Sequence, residues 1–251
     1  MLNSIIFVTL FPEQVKAYFE KGIIQRACES KKITLDYINL RDFGIGNYNS
    51  VDDIPFGGRQ GMLLRADVLE TAIKSIPNYS EYDILSMCPK GAQFTQDMSK
   101  NLAQKKGLII LLGYYEGFDE RIYDLFEINR ISIGDFILNS GELAGLVVSE
   151  TIIRQLPGVL GNPDCVENDS ISSGFLEHPQ YTQPVELHNL KVPDILRSGH
   201  HKNVADFKQN KAIECTLFKR PNLIIKNILT RNDKAEITNL IRDRYGEVQN
   251  E

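Results

Sequence analysis

Cysteine is scarce and scattered. Cys28, Cys88, Cys165 and Cys215 form no C-x-x-C pair, which excludes a disulfide framework and a cysteine zinc site and leaves buried or idle thiols. His178, His188, His200 and His201 lack the i, i+4 spacing that sets two imidazoles on one helical face, so no metal site built from protein ligands is expected. No stretch approaches the roughly 18 consecutive apolar residues of a membrane-spanning helix. Met1 to Phe11 holds neither Lys nor Arg and no small-residue cleavage pattern. The run Ile5 to Leu10 therefore reads as a strand rather than a signal peptide, and a cytoplasmic protein without a membrane partner is expected. Glycine (18) and proline (10) are at ordinary levels, against a collagen-like or low-complexity chain.

What is present is a chain of 251 residues, 42% apolar and 24% charged, enough for one large domain or two modest ones around a substantial core. The net charge of −5 argues at first against a nucleic-acid partner. Its distribution reverses that reading. Lys191 to Lys234 holds ten basic and four acidic residues, a segment of +6, and leaves −11 on the remainder. Counterion release depends on local charge, so the segment fits a phosphate footprint; a solvated helical face is the plainer alternative.

Strand and helix signals alternate over residues 1–160. Ile5 to Leu10 is followed by a helix opened by Pro12 and Glu13, with Gly22 near its end. Ile33, Leu35 and Tyr37 alternate as a strand, and Val68, Leu69, Ala72, Ile73 and Ile76 form a helical stripe stopped by Pro77. Next come a strand over Tyr82 to Met87, a helix capped by Thr95 and ended by Gly107, and a buried strand over Leu108 to Leu112. Phe118, Ile122, Leu125 and Phe126 predict a further helix, Glu127 to Ile133 a strand, and Glu142 to Leu156 a last helix ended by Pro157. This order predicts an α/β domain with a mainly parallel sheet. Residues 161–173 read as an interdomain linker, and 174–251 as a small, mostly helical C-terminal domain with helices over Val204 to Ala212 and Lys234 to Tyr245.

Three glycine-bearing segments interrupt this pattern. Pro55-Phe56-Gly57-Gly58-Arg59-Gln60-Gly61-Met62 lies in a connection of about two dozen residues, long for a compact domain. It is neither a Walker loop nor a dinucleotide fingerprint. Gly113 to Arg121 and Ser132 to Leu143 each follow a buried strand at the carboxyl edge of the sheet, where open α/β folds place their ligands. Glycines admit a ligand to backbone groups, while Glu116 or Asp135 can hold a ribose hydroxyl or a cation.

Together with Leu156-Pro157-Gly158-Val159-Leu160-Gly161, Asn168-Asp169-Ser170, Pro179 to Pro184 and Leu196-Arg197-Ser198-Gly199-His200, these runs resemble, in order and spacing, the bacterial TrmD-type tRNA (guanine-N1)-methyltransferases. The resemblance spans nearly the whole chain. It implies a SPOUT-type domain over 1–160 with a C-terminal trefoil knot, a rare exception to unknotted topology. S-adenosyl-L-methionine would bind in that knot. Matched by position, Ser86, Met87, Pro89 and Gly91, then Gly113, Tyr115 and Glu116, then Ile133, Gly134, Asp135, Phe136, Ile137, Leu138 and Gly141 are implied to contact it. Arg154 and Asp169 match the family's catalytic arginine and general base, with Glu116 the third member of the methyl-transfer machinery. The family implies a homodimer whose active site lies at the interface, with Asp169 acting on guanine at the other chain's donor site. The basic C-terminal domain would grip tRNA, and magnesium would act through the RNA or at the site.

A sulfonium methyl is already electrophilic, so such an enzyme aligns guanine N1 with it and removes the N1 proton. Arg154 suits charge developing on guanine O6. The expected reaction is methylation of the guanosine immediately 3′ of the anticodon. The sequence departs from the family pattern at Gly58-Arg59-Gln60-Gly61, at Tyr114, where the family carries arginine, and at Ser140, where glycine is common. Those departures sustain one alternative, a non-catalytic RNA-binding protein on a degenerate fold. A nicotinamide-dependent enzyme is disfavoured, because no strand of this sequence leads into G-x-G-x-x-G and a helix.

Overall fold

A computed structural model describes residues 1–58, 60–161, 169–172, 174–225 and 229–245. Arg59, Cys165, Asn168 and most of the linker 161–173 lie outside the described residues. The chain divides into two compact units, Met1–Pro163 and Asp164–Glu251.

In the first unit β1 (Ser4–Thr9), β2 (Thr34–Asn39), β5 (Asp83–Gln93), β6 (Gly107–Leu111) and β7 (Ile128–Ser132) form one sheet in the order β2-β1-β6-β5-β7. Every neighbouring pair is parallel. β3 (Asp52–Asp53) and β4 (Leu63–Leu64) make a separate antiparallel ribbon. The helices are α1 (Pro12–Phe19), α2 (Gly22–Glu29), α3 (Ala66–Lys74), α4 (Gln96–Leu102), α5 (Ile122–Leu125) and α6 (Glu142–Ile153).

All five residues of β6 are buried, and the period-2 alternation of a strand sends them to opposite faces. Leu108 and Ile110 join Ile5 and Phe7 of β1 in a core with α1, α2 and α6. Ile109 and Leu111 join Ile6 and Val8 in a second core beneath α3 and α5. Helices therefore cover both faces, as a parallel sheet with continuous apolar strands requires.

Several boundaries differ from the sequence expectation. Gly22, at φ 78°, turns the chain into a second helix instead of closing a single one. Thr95 caps α4 by accepting from the Met98 amide at 3.2 Å, yet the helix ends at Leu102 because Gly107 already belongs to β6. The helix predicted around Phe118 is one turn, Ile122–Leu125, since Phe118 bridges to Leu64 instead. The last helix stops at Ile153, ahead of Leu156 and Pro157.

The second unit holds a two-stranded ribbon, β8 (Glu186–Leu187) with β9 (Leu190–Lys191), then α7 (His201–Lys219), α8 (Pro221–Ile225) and α9 (Arg231–Tyr245). The ribbon was not foreseen, because strands of two residues are too short to show alternation. Its turn, His188-Asn189, has both residues at positive φ (49° and 64°), the geometry of a tight hairpin loop. α7 extends well beyond the predicted Val204 to Ala212 at both ends.

Ile110 is fully buried, and Ile110→Ala is expected to destabilise the first unit by about 2–5 kcal/mol. Ile54→Ala, at a position 70% exposed, should stay within about 0.5 kcal/mol. Urea unfolding followed by circular dichroism measures both.

Candidate active site

The sheet order decides where the chemistry gathers. β6, β5 and β7 are consecutive neighbours and parallel, so the segments leaving their carboxyl ends emerge side by side. They enclose a cavity of about 560 Å3, within the range of small-molecule sites.

The first wall comes from β5. Its ladder with β7 shifts register between Met87 and Ala92, so residues 88–91 bulge from the sheet, a common device beside active sites. Met87, Cys88, Pro89 and Lys90 reach the cavity on this bulge. Gly91 does not; it lets the bulge return, since a Cβ there would lie 2.4 Å from the backbone of Arg130 and Ile131.

The second wall is the turn after β6. Gly113, Tyr115 and Glu116 line the cavity, and Tyr115 is held at φ 55°, a strained conformation for a bulky residue. Backbone bonds from outside fix this turn. The Glu116 amide donates to Met62 O at 3.0 Å, Leu64 N to Gly117 O at 2.9 Å, and Asp119 N to Leu64 O at 2.9 Å. Gly61 makes this seam possible, because a Cβ there would sit 2.6 Å from Glu116 Cγ. Gly61 and Met62 thus brace Glu116 from behind, and none of the described residues of the glycine-rich run lines the cavity.

The third wall is 133–141. Ile133, Gly134, Phe136, Ile137, Leu138 and Gly141 line the cavity. Gly141 N donates to Gly113 O at 2.7 Å, and a Cβ on Gly141 would lie 2.8 Å from Gly113 N, so the second and third walls touch backbone to backbone. Beneath them, Thr9 Oγ1 donates to the buried Glu142 Oε1 at 2.6 Å, tying α6 to the end of β1.

Of the residues implied by resemblance, Ser86, Gly91 and Asp135 stand off the cavity wall. Ser86 is fully buried, with its hydroxyl 3.0 Å from the Tyr123 hydroxyl, and Asp135 points to solvent. Arg154 caps the carboxyl end of α6, and Asp169 lies in a bend of the second unit. Cys88 and Lys90, inside the implied stretch Ser86 to Gly91, and Glu120, inside the Gly113 to Arg121 run, line the cavity too, and Tyr123 and Arg130 join them without having been singled out from the sequence. Only their placement beside the bulge and α5 brings them in, and no motif signals it. Burial pushes the Tyr123 phenol up, against the hydrogen bond from Ser86. Among the described residues no group of three or more His, Cys, Asp or Glu side chains gathers to hold a metal ion, and no helix is long and apolar enough to cross a membrane.

The family described as "tRNA (Guanine-1)-methyltransferase TrmD" matches residues 3–226. The chain belongs to this family. A tRNA (guanine-N(1)-)-methyltransferase of Bacillus cereus strain B4264 is 38% identical over 243 residues, covering 96% of this chain and all of the relative. One of Staphylococcus haemolyticus strain JCSC1435 is 39% identical over 234 residues, covering 93% and 96% of the two chains. One of Bacillus anthracis strain A0248 is 39% identical over 233 residues, covering 92% and 96%. The matched range includes all three segments that wall the cavity.

Asp119 anchors the second wall. Its carboxylate accepts from Arg121 N at 3.0 Å, Nε at 2.9 Å and Nη2 at 2.6 Å, and the Arg121 guanidinium holds its carboxyl below the usual range. A depressed folded value means the contribution is complete above the ordinary aspartate range near about pH 3.9 and is lost as the pH falls through it. Asp119→Asn should therefore lower the unfolding midpoint at neutral pH, and the gap from the parent should close on acidification; thermal melts over a pH series check this.

Proposed function

We propose that the protein transfers a methyl group from S-adenosyl-L-methionine to N1 of a tRNA guanosine, the one immediately 3′ of the anticodon. The observation that carries the reading is the enclosure of one cavity by three segments within the range that matches the family, two of them joined by the Gly141–Gly113 hydrogen bond. The residues present fit the donor. Gly113 and Gly141 bring backbone without side chains to the cavity wall, Ile133 and Leu138 supply apolar surface for a purine, and Glu116 supplies negative charge for a cationic ligand. When bound, the donor supplies an electrophilic methyl on a sulfonium. The protein's task is then alignment and proton removal. Asp169 is assigned as acceptor of the N1 proton, and Arg154 as the cation facing guanine O6.

α6 supports placing that chemistry between two copies of the chain. Gly141 and Ala144 line the cavity at its start, whereas Arg154 sits at its far end after 12 helical residues, about 18 Å away at 1.5 Å per residue. Arg154 is thus remote from the cavity of its own chain. Leu143 and Val147, 61% and 51% exposed, stand one turn apart on α6, an apolar strip suited to a second copy. The reading includes a trefoil knot in 1–160, a tRNA-binding role for the basic second unit in 174–251, a linker at 161–173, and work in the cytoplasm.

Labelled donor, magnesium and a tRNA with guanosine 3′ of the anticodon should yield label at guanine N1; no transfer under conditions where a family relative is active overturns the reading. Asp169→Ala should keep donor affinity and lose most turnover. Mixing Asp169→Ala with Glu116→Ala chains should restore about one quarter of the parent rate, because half of randomly assorted dimers regain one intact site. No recovery after subunit exchange rejects the shared site.

A further inference from the structure

Beyond the glycine turns, one wall of the cavity is made of side chains that methyl transfer does not use. The Arg130 guanidinium lies over the Tyr123 ring, Cζ 3.5 Å from its centroid, and donates through Nη2 to Glu120. The Tyr123 hydroxyl is held in turn by buried Ser86. Lys90, carried outward by the β5 bulge, has its ammonium 4.0 Å from the same Glu120 carboxylate, too long for a hydrogen bond. Lys90, Glu120, Tyr123 and Arg130 all face the cavity.

Two cations thus share one carboxylate, leaving one positive charge in excess among these four side chains; Glu116, on the turn after β6, is the other carboxylate lining the cavity. A guanidinium has five N–H donors, and the one hydrogen bond from Arg130 among the described residues goes to Glu120. Its side chain is 25% exposed, against 75% for Lys90. The aromatic platform and the Glu120 contact fix the guanidinium plane, so its remaining donors are oriented before any ligand arrives. An ordinary surface ion pair has no such platform and contributes little.

We propose that Arg130, with Lys90 beside it, forms an oxyanion subsite of the cavity. It takes a carboxylate or phosphate oxygen of a bound ligand through bidentate, charge-assisted hydrogen bonds. On the methyltransferase reading, on which the source of the anion rests, that group is either the amino-acid carboxylate of the donor or a backbone phosphate of the tRNA.

The test uses the full chain with Arg130→Gln and Lys90→Gln, the second at an exposed position that leaves the fold intact; thermal melts verify both. Binding is measured for S-adenosylmethionine, for 5′-methylthioadenosine, which lacks the carboxylate, and for tRNA over a salt series. If the donor supplies the anion, Arg130→Gln weakens S-adenosylmethionine about tenfold and leaves methylthioadenosine unchanged. If tRNA supplies it, donor affinity holds, tRNA affinity falls for both variants, and the slope of log affinity against log salt drops by about one per lost contact. Parent-like binding of all three ligands by both folded variants overturns the subsite. Should the parent bind neither donor nor tRNA, the methyltransferase reading fails instead. Pyrophosphate then decides the subsite, by raising the parent's melting temperature and not that of Arg130→Gln, or by raising neither.

Discussion

The amide of Gly141 meets the carbonyl of Gly113 at 2.7 Å, and the arrangement of the cavity depends on that hydrogen bond. It joins the turn after β6 to the start of α6, two places 28 residues apart in the chain. With backbone pressed on backbone, neither segment moves without the other. The parallel sheet delivers β6, β5 and β7 to one edge in adjacent positions, so with the second and third walls held by this contact the β5 bulge stands beside them as the first.

Support for that contact comes from unequal sources. On one side the Gly61 to Leu64 segment zips to Glu116, Gly117 and Asp119 through backbone bonds. On the other, Thr9 and Glu142 anchor α6 in the core. One Glu142 oxygen, Oε2, is buried without a hydrogen-bond partner among the described residues, an uncommon burden for a carboxylate. Polar cost is thus concentrated directly under the site, while the flanking layers are ordinary aliphatic packing.

The fold was readable to the extent that burial is periodic. β1 and β6 announce themselves as short apolar runs because both their faces are covered, and α3 shows its stripe because one face alone is buried. The glycine segments pointed to the cavity because backbone approach leaves a compositional trace. What stayed hidden has no such trace. A bulge at 88–91 changes pairing without changing composition, and Tyr123 and Arg130, on α5 and β7, carry no motif that ties them to the cavity beside it. Gly61 stands in a run legible by its glycines and Gly91 in a stretch implied by resemblance, but composition does not say what the structure shows of both, that a Cβ there would press on Glu116 or on the backbone of Arg130 and Ile131. The β8–β9 ribbon depends on two residues of positive φ, which His-Asn does not advertise as Asn-Gly would.

The clasp also bears on how this pocket can change under selection by an inhibitor. A compound leaning on the junction at Gly141 presses against a position where even a methyl group is refused, so the usual escape of enlarging a side chain to crowd out the drug is closed at that residue. Resistance would have to arise on the bulge or on the Tyr114–Tyr115 edge, where aromatic rings pack 4.7 Å apart and substitution leaves the junction standing.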